Sequence, residues 1–314
     1  MERSGEPQGR SSPPPPREPG ARREPRVPDA PGVARDDPPP GLFTPDSITW
    51  RVHSEPLMGV AGLRALLLQA LHPAAMAAID EHSNYSEDPW GRLARTAEFV
   101  GVATFGSLTE AMFAGSRLRA VHARIRGTTA DGSPYEADDP QLLAWVHSCM
   151  VASFLEVITR AGLRLTGQEQ DAYIAEQVTF AMLVGLEPDE VPRNRAELRD
   201  YFGAIRPVLE CTPAARRAAR IAIEPPAPGS PVPEQTPAFR GPMGTIRLPR
   251  PPWADLAGLA FSSLPKWARR IYAIDDVTGV AALDSAATTG ELRALRTSLR
   301  GRADSVPAAG GAPR

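Results

Sequence analysis

The sequence predicts an all-α protein. Apolar residues recur at helical spacing, helix caps precede many of these runs, and alternating strand patterns and Asn-Gly hairpin turns are missing. No segment repeats at a fixed period, so a solenoid is not indicated. We therefore expect one helical domain over about residues 41–300 of the 314-residue chain.

The first helices are predicted from an apolar run and a cap. The run from Gly59 to about Glu81 is apolar on nearly all sides, as in a buried helix, and Pro73 should kink or break it. Asp88 followed by Pro89 forms a cap and first-turn pair that starts the next helix, which should reach about residue 105.

Cap signals also place the later helices. Ser107 and Glu110 have the capping-box spacing of a helix that ends at Gly127. Asp139 with Pro140 starts a long helix that runs to about residue 162. The same signals predict helices from Thr166, Asn194 and Thr212, and a last pair over about 253–272 and 276–300.

Three segments fall outside this pattern. Residues 1–40 and 301–314 are rich in proline, arginine, glycine and alanine, with almost no large apolar side chains, so we expect disordered tails. The proline-rich segment 224–252 does contain apolar anchors, among them Phe239 and Ile246. It is therefore predicted to be an extended strap on the domain.

Composition limits the function classes. The formal net charge is -2, so no global positive field attracts a nucleic acid, and we expect no nucleic-acid partner. The two cysteines, Cys149 and Cys211, have no CxxC spacing, which argues against a disulfide framework or a structural zinc site. No uninterrupted apolar stretch approaches the roughly 18 residues of a membrane span, and the first residues lack the apolar run of a signal peptide. The expected location is the cytoplasm.

The stretch SRLRAVHARIRG contains the first candidate site. No HExxH pair, GxSxG elbow, Walker loop or GxGxxG turn is present, whereas a helical protein with isolated histidines suits haem. On a helix, His122 shares an apolar face with Leu118 and Ile125, and Arg119 and Arg126 flank it as candidate propionate partners. The alternative is a core histidine on an ordinary amphipathic helix, which the spacing alone favours.

Two further patterns allow more than one interpretation. His147 lies on an apolar helix face and is either a buried core histidine or an axial ligand. Arg92, Thr96 and Phe99 share a face at i, i+4 and i+7, which suits a distal oxygen-binding pocket. The alternative for Arg92 is an ion pair with Glu98 or another carboxylate.

Several ordered motifs resemble a known family. The segments LLLQALHPAAMAAIDEHS, DPWGRLARTAEF, RAVHARIRG, DDPQLLAWVH and LTGQEQDAYIAEQ, over about residues 50–205, resemble the family that joins bacterial rubber oxygenases with fungal MpaB-type oxygenases. The later LPKWARRIYAI resembles it more loosely. The resemblance implies an enlarged globin-like helical domain that binds b-type haem through one proximal histidine and uses dioxygen on hydrophobic, often isoprenoid, substrates.

The resemblance also implies residue roles. The proximal histidine falls on His122, the distal polar groups fall on Arg92 and Thr96, and His147 remains the alternative axial ligand. Rubber oxygenases carry a distal lysine where Arg95 stands here. Because arginine offers no lone pair to a metal, Arg95 cannot replace that lysine as a ligand, and a small apolar substrate becomes the expectation in place of rubber.

Other roles remain open at this point. Glu81 or Glu98 is the candidate base for removing a substrate proton, from proximity in sequence. A non-catalytic haem or lipid carrier of the same fold would share every motif. A nucleic-acid-binding regulator is disfavoured, since no short helix-turn-helix unit is evident. The oligomeric state is not predicted.

Overall fold

The computed structural model describes residues 41–223, 238–241, 244–247, 253–273 and 284–303. In these ranges the chain forms twelve α-helices and two antiparallel two-stranded hairpins, which confirms the all-α class. The helices are α1 Ile48–His53, α2 Met58–Gln69, α3 Pro73–His82, α4 Pro89–Phe105, α5 Leu108–His122, α6 Pro140–Arg160, α7 Gly167–Val184, α8 Arg195–Ile205, α9 Pro213–Ile223, α10 Trp253–Ser262, α11 Lys266–Tyr272 and α12 Ser285–Ala303. The strands are β1 Arg126–Thr128, β2 Pro134–Glu136, β3 Ala238–Gly241 and β4 Gly244–Arg247.

The predicted helix caps are present. Both capping boxes form, Ser107 with Glu110 at α5 and Thr166 with Glu169 at α7. Gly185 ends α7 in the left-handed conformation, with φ of 104°, as expected for a glycine C-cap. These local signals correctly located the helices that surround the candidate site.

Proline divides the first apolar run into two helices. Pro73 is the first residue of α3, where its missing N–H costs nothing, and α2 and α3 meet at an angle of 107°. His72 is the N-cap residue between them. The break turns the second half of the run away from α2 and toward the segment that follows α5.

The helix that carries His122 ends earlier than predicted. It stops at His122, not at Gly127, and β1 and β2 form a short hairpin between α5 and α6, where the sequence predicted no strands. The backbone N–H of Ala137 donates to the carbonyl of Ile125 at 3.0 Å, and Gly132 makes the turn with φ of 87°. Tertiary pairing therefore overrides the helical pattern of residues 123–127.

Some predictions fall at or beyond the edge of the described ranges. The tail over residues 1–40 and most of the strap over 224–252 lie outside them, as does the predicted helix start at 276. The C-terminal helix α12 continues to Ala303, three residues past its predicted end at residue 300.

The core lies between α2 and α6. Trp145 of α6 is fully buried, and its indole N–H donates to the carbonyl of Gln69 at 3.1 Å. By length and composition α6 could cross a membrane, and 78% of its apolar window is buried inside the protein. A second apolar cluster around Phe180 joins α4, α6 and α7. The candidate site lies where α3, α4, α5 and the start of α6 approach one another.

Candidate functional site

His122 is the last residue of α5, and its imidazole is partly buried. Its Nδ1 atom is buried without a hydrogen-bond partner among the described residues. Burial lowers the pKa of His122, the charge of Arg92 lowers it further, and the charge of Asp138 acts in the opposite direction. The ring is therefore mostly neutral at pH 7, and the two charges that act on its pKa come from α4 and from the segment before α6.

Arg92 lies in the first turn of α4, behind the Asp88 cap. Its Nη1 donates to the hydroxyl of Ser83 at 2.6 Å, and no carboxylate pairs with it in the described part of the chain. Burial lowers the pKa of Arg92, and the charge of neighbouring Arg95 lowers it further. The predicted ion pair between Arg92 and Glu98 does not form, and Arg92 is a desolvated cation held by a neutral partner.

Thr96 and Arg95 lie on the more exposed side of the same helix. The hydroxyl of Thr96 donates to the backbone carbonyl of Arg92 at 3.0 Å, as the i, i+4 spacing allows. Arg95 lies 3.3 Å from Asp88 and also donates to Asn84. Of the two arginines in this motif, Arg92 is the more buried, and its charge is the one that acts on the pKa of His122.

The β1–β2 hairpin is fixed to α3 by Tyr135. The phenol of Tyr135 is buried and donates to the carboxylate of Glu81 at 2.6 Å, and the same carboxylate lies 3.8 Å from Nε2 of His82. Gly127 faces Tyr135 across the hairpin. A Cβ atom at position 127 would lie 2.6 Å from Oε2 of Glu81 and even closer to the Tyr135 hydroxyl, so this position requires glycine.

The two predicted propionate partners have protein contacts. Nη1 of Arg119 donates to the carbonyl of Leu183 at 2.6 Å, near the C-terminus of α7. Nη1 of Arg126 donates to the carbonyl of Ala123 at 2.6 Å. Because Arg126 lies in β1, it is not one helical turn beyond His122, contrary to the helical geometry that suggested it.

Arg126 also makes ionic contacts within the hairpin region. Its Nε lies 3.4 Å from the Glu136 carboxylate, and its Nη1 lies 3.8 Å from Oδ1 of Asp138. The guanidinium therefore links the end of α5 to the segment that precedes α6.

His147 lies in the second apolar cluster and not beside Arg92. It is buried on α6, with its ring centroid 6.3 Å from that of Phe180. Burial lowers its pKa to about 4. Its Nδ1 also has no hydrogen-bond partner among the residues described. His122 at the end of α5 and His147 on α6 thus share the same feature, a neutral imidazole whose buried Nδ1 has no hydrogen-bond partner among the described residues.

Two residues of this region were not singled out from the sequence. Asp138 precedes the helix cap Asp139, and its Oδ1 is buried without a hydrogen-bond partner in the described chain. The doubled aspartate of DDP was a usable signal, because a cap needs only one of the two. His72 has a buried, unpartnered Nδ1 and lies 6.1 Å from Trp145, ring centroid to centroid.

An apolar cavity of about 90 Å³ adjoins Arg92. Leucine, alanine and aromatic side chains from α2, α3, α4 and α9 surround it, together with Tyr85 from the α3–α4 connection. The hydroxyl of Tyr85 donates a hydrogen bond to Asp80 at 2.8 Å. The guanidinium of Arg92 is thus the charged group of an otherwise hydrophobic wall.

Comparison with known families identifies the class of protein as an oxygenase catalytic domain. The family described as the catalytic domain of ER-bound oxygenase mpaB/B' and rubber oxygenase matches residues 50–300. The chain belongs to this family, so the resemblance seen in its motifs is confirmed and extends to α12. No curated protein and no solved structure matches the chain.

Proposed function

We propose that this protein is a haem b-dependent oxygenase that uses dioxygen to oxidise a small hydrophobic substrate. Its family membership supports the oxygenase class. The observation that carries the proposal is the combination of a partly buried cation without a carboxylate partner among the described residues, Arg92, and a neutral imidazole whose Nδ1 lacks a hydrogen bond, His122. Desolvating a cation that has no counter-ion is costly, and its retention indicates use at a binding site.

The donor groups fit haem better than a metal ion bound by protein alone. Among the described residues, no group of three or more His, Cys, Asp or Glu side chains is arranged to hold a metal. Haem needs only one protein ligand, and a neutral imidazole can be that ligand. His122 meets this requirement, and His147 is the alternative ligand.

Arg92 and Thr96 would act on the oxygen side of the site. Arg92 remains a cation at neutral pH and has N–H donors beyond the one used by Ser83, so it can hold a developing negative charge or orient a polar substrate group. Thr96, bonded to the carbonyl of Arg92, shapes the turn that presents this guanidinium. Haem, when bound, would supply the activation of dioxygen.

Three further candidate residues, Arg119, Arg126 and Glu81, keep groups that can serve their proposed roles. Arg119 and Arg126 each use Nη1 for a backbone carbonyl and retain other N–H donors, so they remain the proposed propionate partners. Glu81 remains the proposed base, with one carboxylate oxygen fixed by Tyr135. Its side chain is 56% exposed, which lets it exchange a proton with water.

The cavity beside Arg92 supports an apolar substrate. Its wall offers hydrocarbon surface from four helices and one guanidinium at the edge, which suits a hydrophobic group that carries a single polar or anionic end. At about 90 Å³ it holds only a small part of a ligand. We therefore assign it to one end of the substrate and not to a porphyrin.

Haem titration of the purified protein tests the ligand assignment. We expect a Soret band to form at one haem per chain, and His122→Ala to remove or strongly alter it. His147→Ala should retain the band and lower stability, and His82→Ala is the control, because His82 lies near the site on the outer end of α3. A protein that never acquires a Soret band would refute the proposal. A band lost only with His147→Ala would move the ligand to α6.

Turnover separates an oxygenase from a haem or lipid carrier. Oxygen consumption with terpenoid and aromatic substrates is the measurement, with the His122→Ala variant as the blank. If the protein is an oxygenase, oxygen consumption should depend on both the substrate and His122. If the reduced haem protein fails to react with oxygen, the carrier interpretation replaces the oxygenase.

A further inference from the structure

We propose that Asp138 is a positioning residue for His122, whose Nδ1–H donates a hydrogen bond to the Asp138 carboxylate. This leaves Nε2 of the ring for the iron. The inference rests on the proposed ligation of haem by His122. It deepens that proposal by naming the group that fixes the tautomer and orientation of the ligand.

Two unsatisfied atoms carry the inference. Nδ1 of His122 and Oδ1 of Asp138 are both buried, and neither has a hydrogen-bond partner in the described chain. One is a donor in the appropriate tautomer and the other is an acceptor, and buried polar groups that remain unpaired destabilise a fold. The Asp138 carboxylate lies 3.8 Å from Arg126, which also binds the backbone carbonyl of the residue after His122, and the charge of Asp138 acts to raise the pKa of His122.

Backbone and ionic contacts hold Asp138 at the end of α5. Nη1 of Arg126 lies 2.6 Å from the carbonyl of Ala123, the residue after His122, and 3.8 Å from Oδ1 of Asp138. The N–H of Ala137 is bonded to the carbonyl of Ile125 at 3.0 Å. These contacts hold the backbone near both residues, and the proposed hydrogen bond forms when the two side chains rotate toward each other.

A carboxylate on Nδ1 has a specific chemical effect. It increases the electron donation of the imidazole to iron and prevents the ring from turning about its Cβ–Cγ bond. It also selects the Nδ1–H tautomer, in which Nε2 carries the lone pair. Asp138 would thus act through His122 and would not touch substrate or iron.

The tautomer of His122 can be measured without haem. We expect ¹⁵N NMR of the haem-free protein to show His122 with its proton on Nδ1, and Asp138→Asn to reduce that population. A wild-type ring that carries its proton on Nε2 would overturn the inference. Because this spectrum needs only the wild-type chain, a poorly folded variant would not prevent the test.

Haem binding gives a second readout. Asp138→Asn keeps the side-chain size but weakens the acceptor, so it should lower haem affinity by about 10- to 100-fold, lower the iron–histidine stretching frequency of the ferrous protein and raise its reduction potential. Glu136→Gln is the matched control, because Glu136 also contacts Arg126 but is 58% exposed, and it should leave all three unchanged.

The outcomes distinguish the two proposals. If the wild type binds haem through His122 and Asp138→Asn leaves affinity, stretching frequency and potential unchanged, the role of Asp138 is refuted while the oxygenase proposal stands. If the wild type shows the Nδ1–H tautomer but binds no haem, the oxygenase proposal fails and the His122–Asp138 hydrogen bond stands.

Discussion

The Tyr135 hydroxyl donates a 2.6 Å hydrogen bond to the carboxylate of Glu81, which joins the β1–β2 hairpin to α3. Burial and this carboxylate together raise the pKa of Tyr135 to about 12, so the phenol remains a donor throughout the working pH range. Since β1 begins four residues after His122, the contact limits the movement of the end of α5. This hydrogen bond has room to form because Gly127 has no side chain beside the Tyr135 hydroxyl and the Glu81 carboxylate.

Gly127→Ala should therefore destabilise the protein by about 1–3 kcal/mol, because the added methyl group displaces the Tyr135 hydroxyl or the Glu81 carboxylate. Gly203→Ala is the control. Gly203 lies inside α8, and a Cβ atom there meets nothing within 4 Å, so alanine should stabilise by up to about 1 kcal/mol. Urea unfolding measures both changes, and a neutral Gly127→Ala would contradict the packing described.

Stability should fall as the pH is lowered from 6.5 to 5. Burial lowers the pKa of His53 to about 3 and that of His147 to about 4, whereas both are near 6.5 in the unfolded chain. In this window the unfolded state binds protons that the folded state does not. Each histidine should therefore lower the free energy of unfolding by up to about 1.4 kcal/mol per pH unit.

The hydrogen bonds of His53 are those of a neutral imidazole. Thr104 donates its hydroxyl to the carbonyl of Val100, so it accepts from Nδ1–H of His53, and Nε2 must then accept from Tyr173. Urea unfolding at pH 7.5, 6.5, 5.8 and 5.0 measures how the free energy of unfolding changes with pH, and His147→Met should reduce this change. A free energy that does not change between pH 6.5 and 5.0 would show that these rings are not buried as described.

Glu55→Ala should be among the most destabilising substitutions in the chain. The Glu55 side chain is 2% exposed and binds Arg296 of α12 at 2.8 and 2.9 Å and Arg300 at 2.6 Å. Its loss leaves Arg296, which is 16% exposed, without its partner, at a cost of about 3–5 kcal/mol. Arg300→Ala should cost much less, because Arg300 is 55% exposed and Arg296 still binds Glu55.

Thermal unfolding and amide hydrogen exchange test this clamp. Glu55→Ala should lower the melting temperature and remove exchange protection from α12 before the rest of the domain. Loss of protection in α12 equal to that in α6 would instead mean that the two helices unfold together.

Local signals predicted the helices well but not the end of α5. Caps such as Ser107 and Asp88 act within one helical turn, so the sequence displays them directly. The stop at His122 depends on pairing of residues 125–128 with 134–137, and no local pattern encodes that pairing strongly. The helical face assigned to Arg126 was therefore wrong, although the arginine lies near the site.

Only part of the candidate site could be predicted from the sequence, because some of its residues carry motif signals and others do not. Arg92 and His122 carry motif signals, and in the structure the charge of Arg92 lowers the pKa of His122. The surroundings of Asp138 and Ser83 depend on contacts between residues that are distant in the sequence. In the sequence itself, a carboxylate before a helix cap resembles any surface aspartate. That Arg92 lacks a carboxylate partner could not be predicted either, since Glu98 was available one and a half turns away on the same helix.

Substitution of Arg92 should separate stability from activity. Arg92→Met removes a partly buried cation that no described carboxylate neutralises and adds apolar surface to the cavity wall, so the free energy of unfolding should stay constant or rise. If Arg92 holds developing negative charge, the same variant should lose about 100-fold in substrate-dependent oxygen consumption while retaining haem. Arg95→Met is the control, because Arg95 is 60% exposed and faces Asp88, and it should change neither property appreciably. A variant that is strongly destabilised and fully active would show that Arg92 supports the fold and not the reaction.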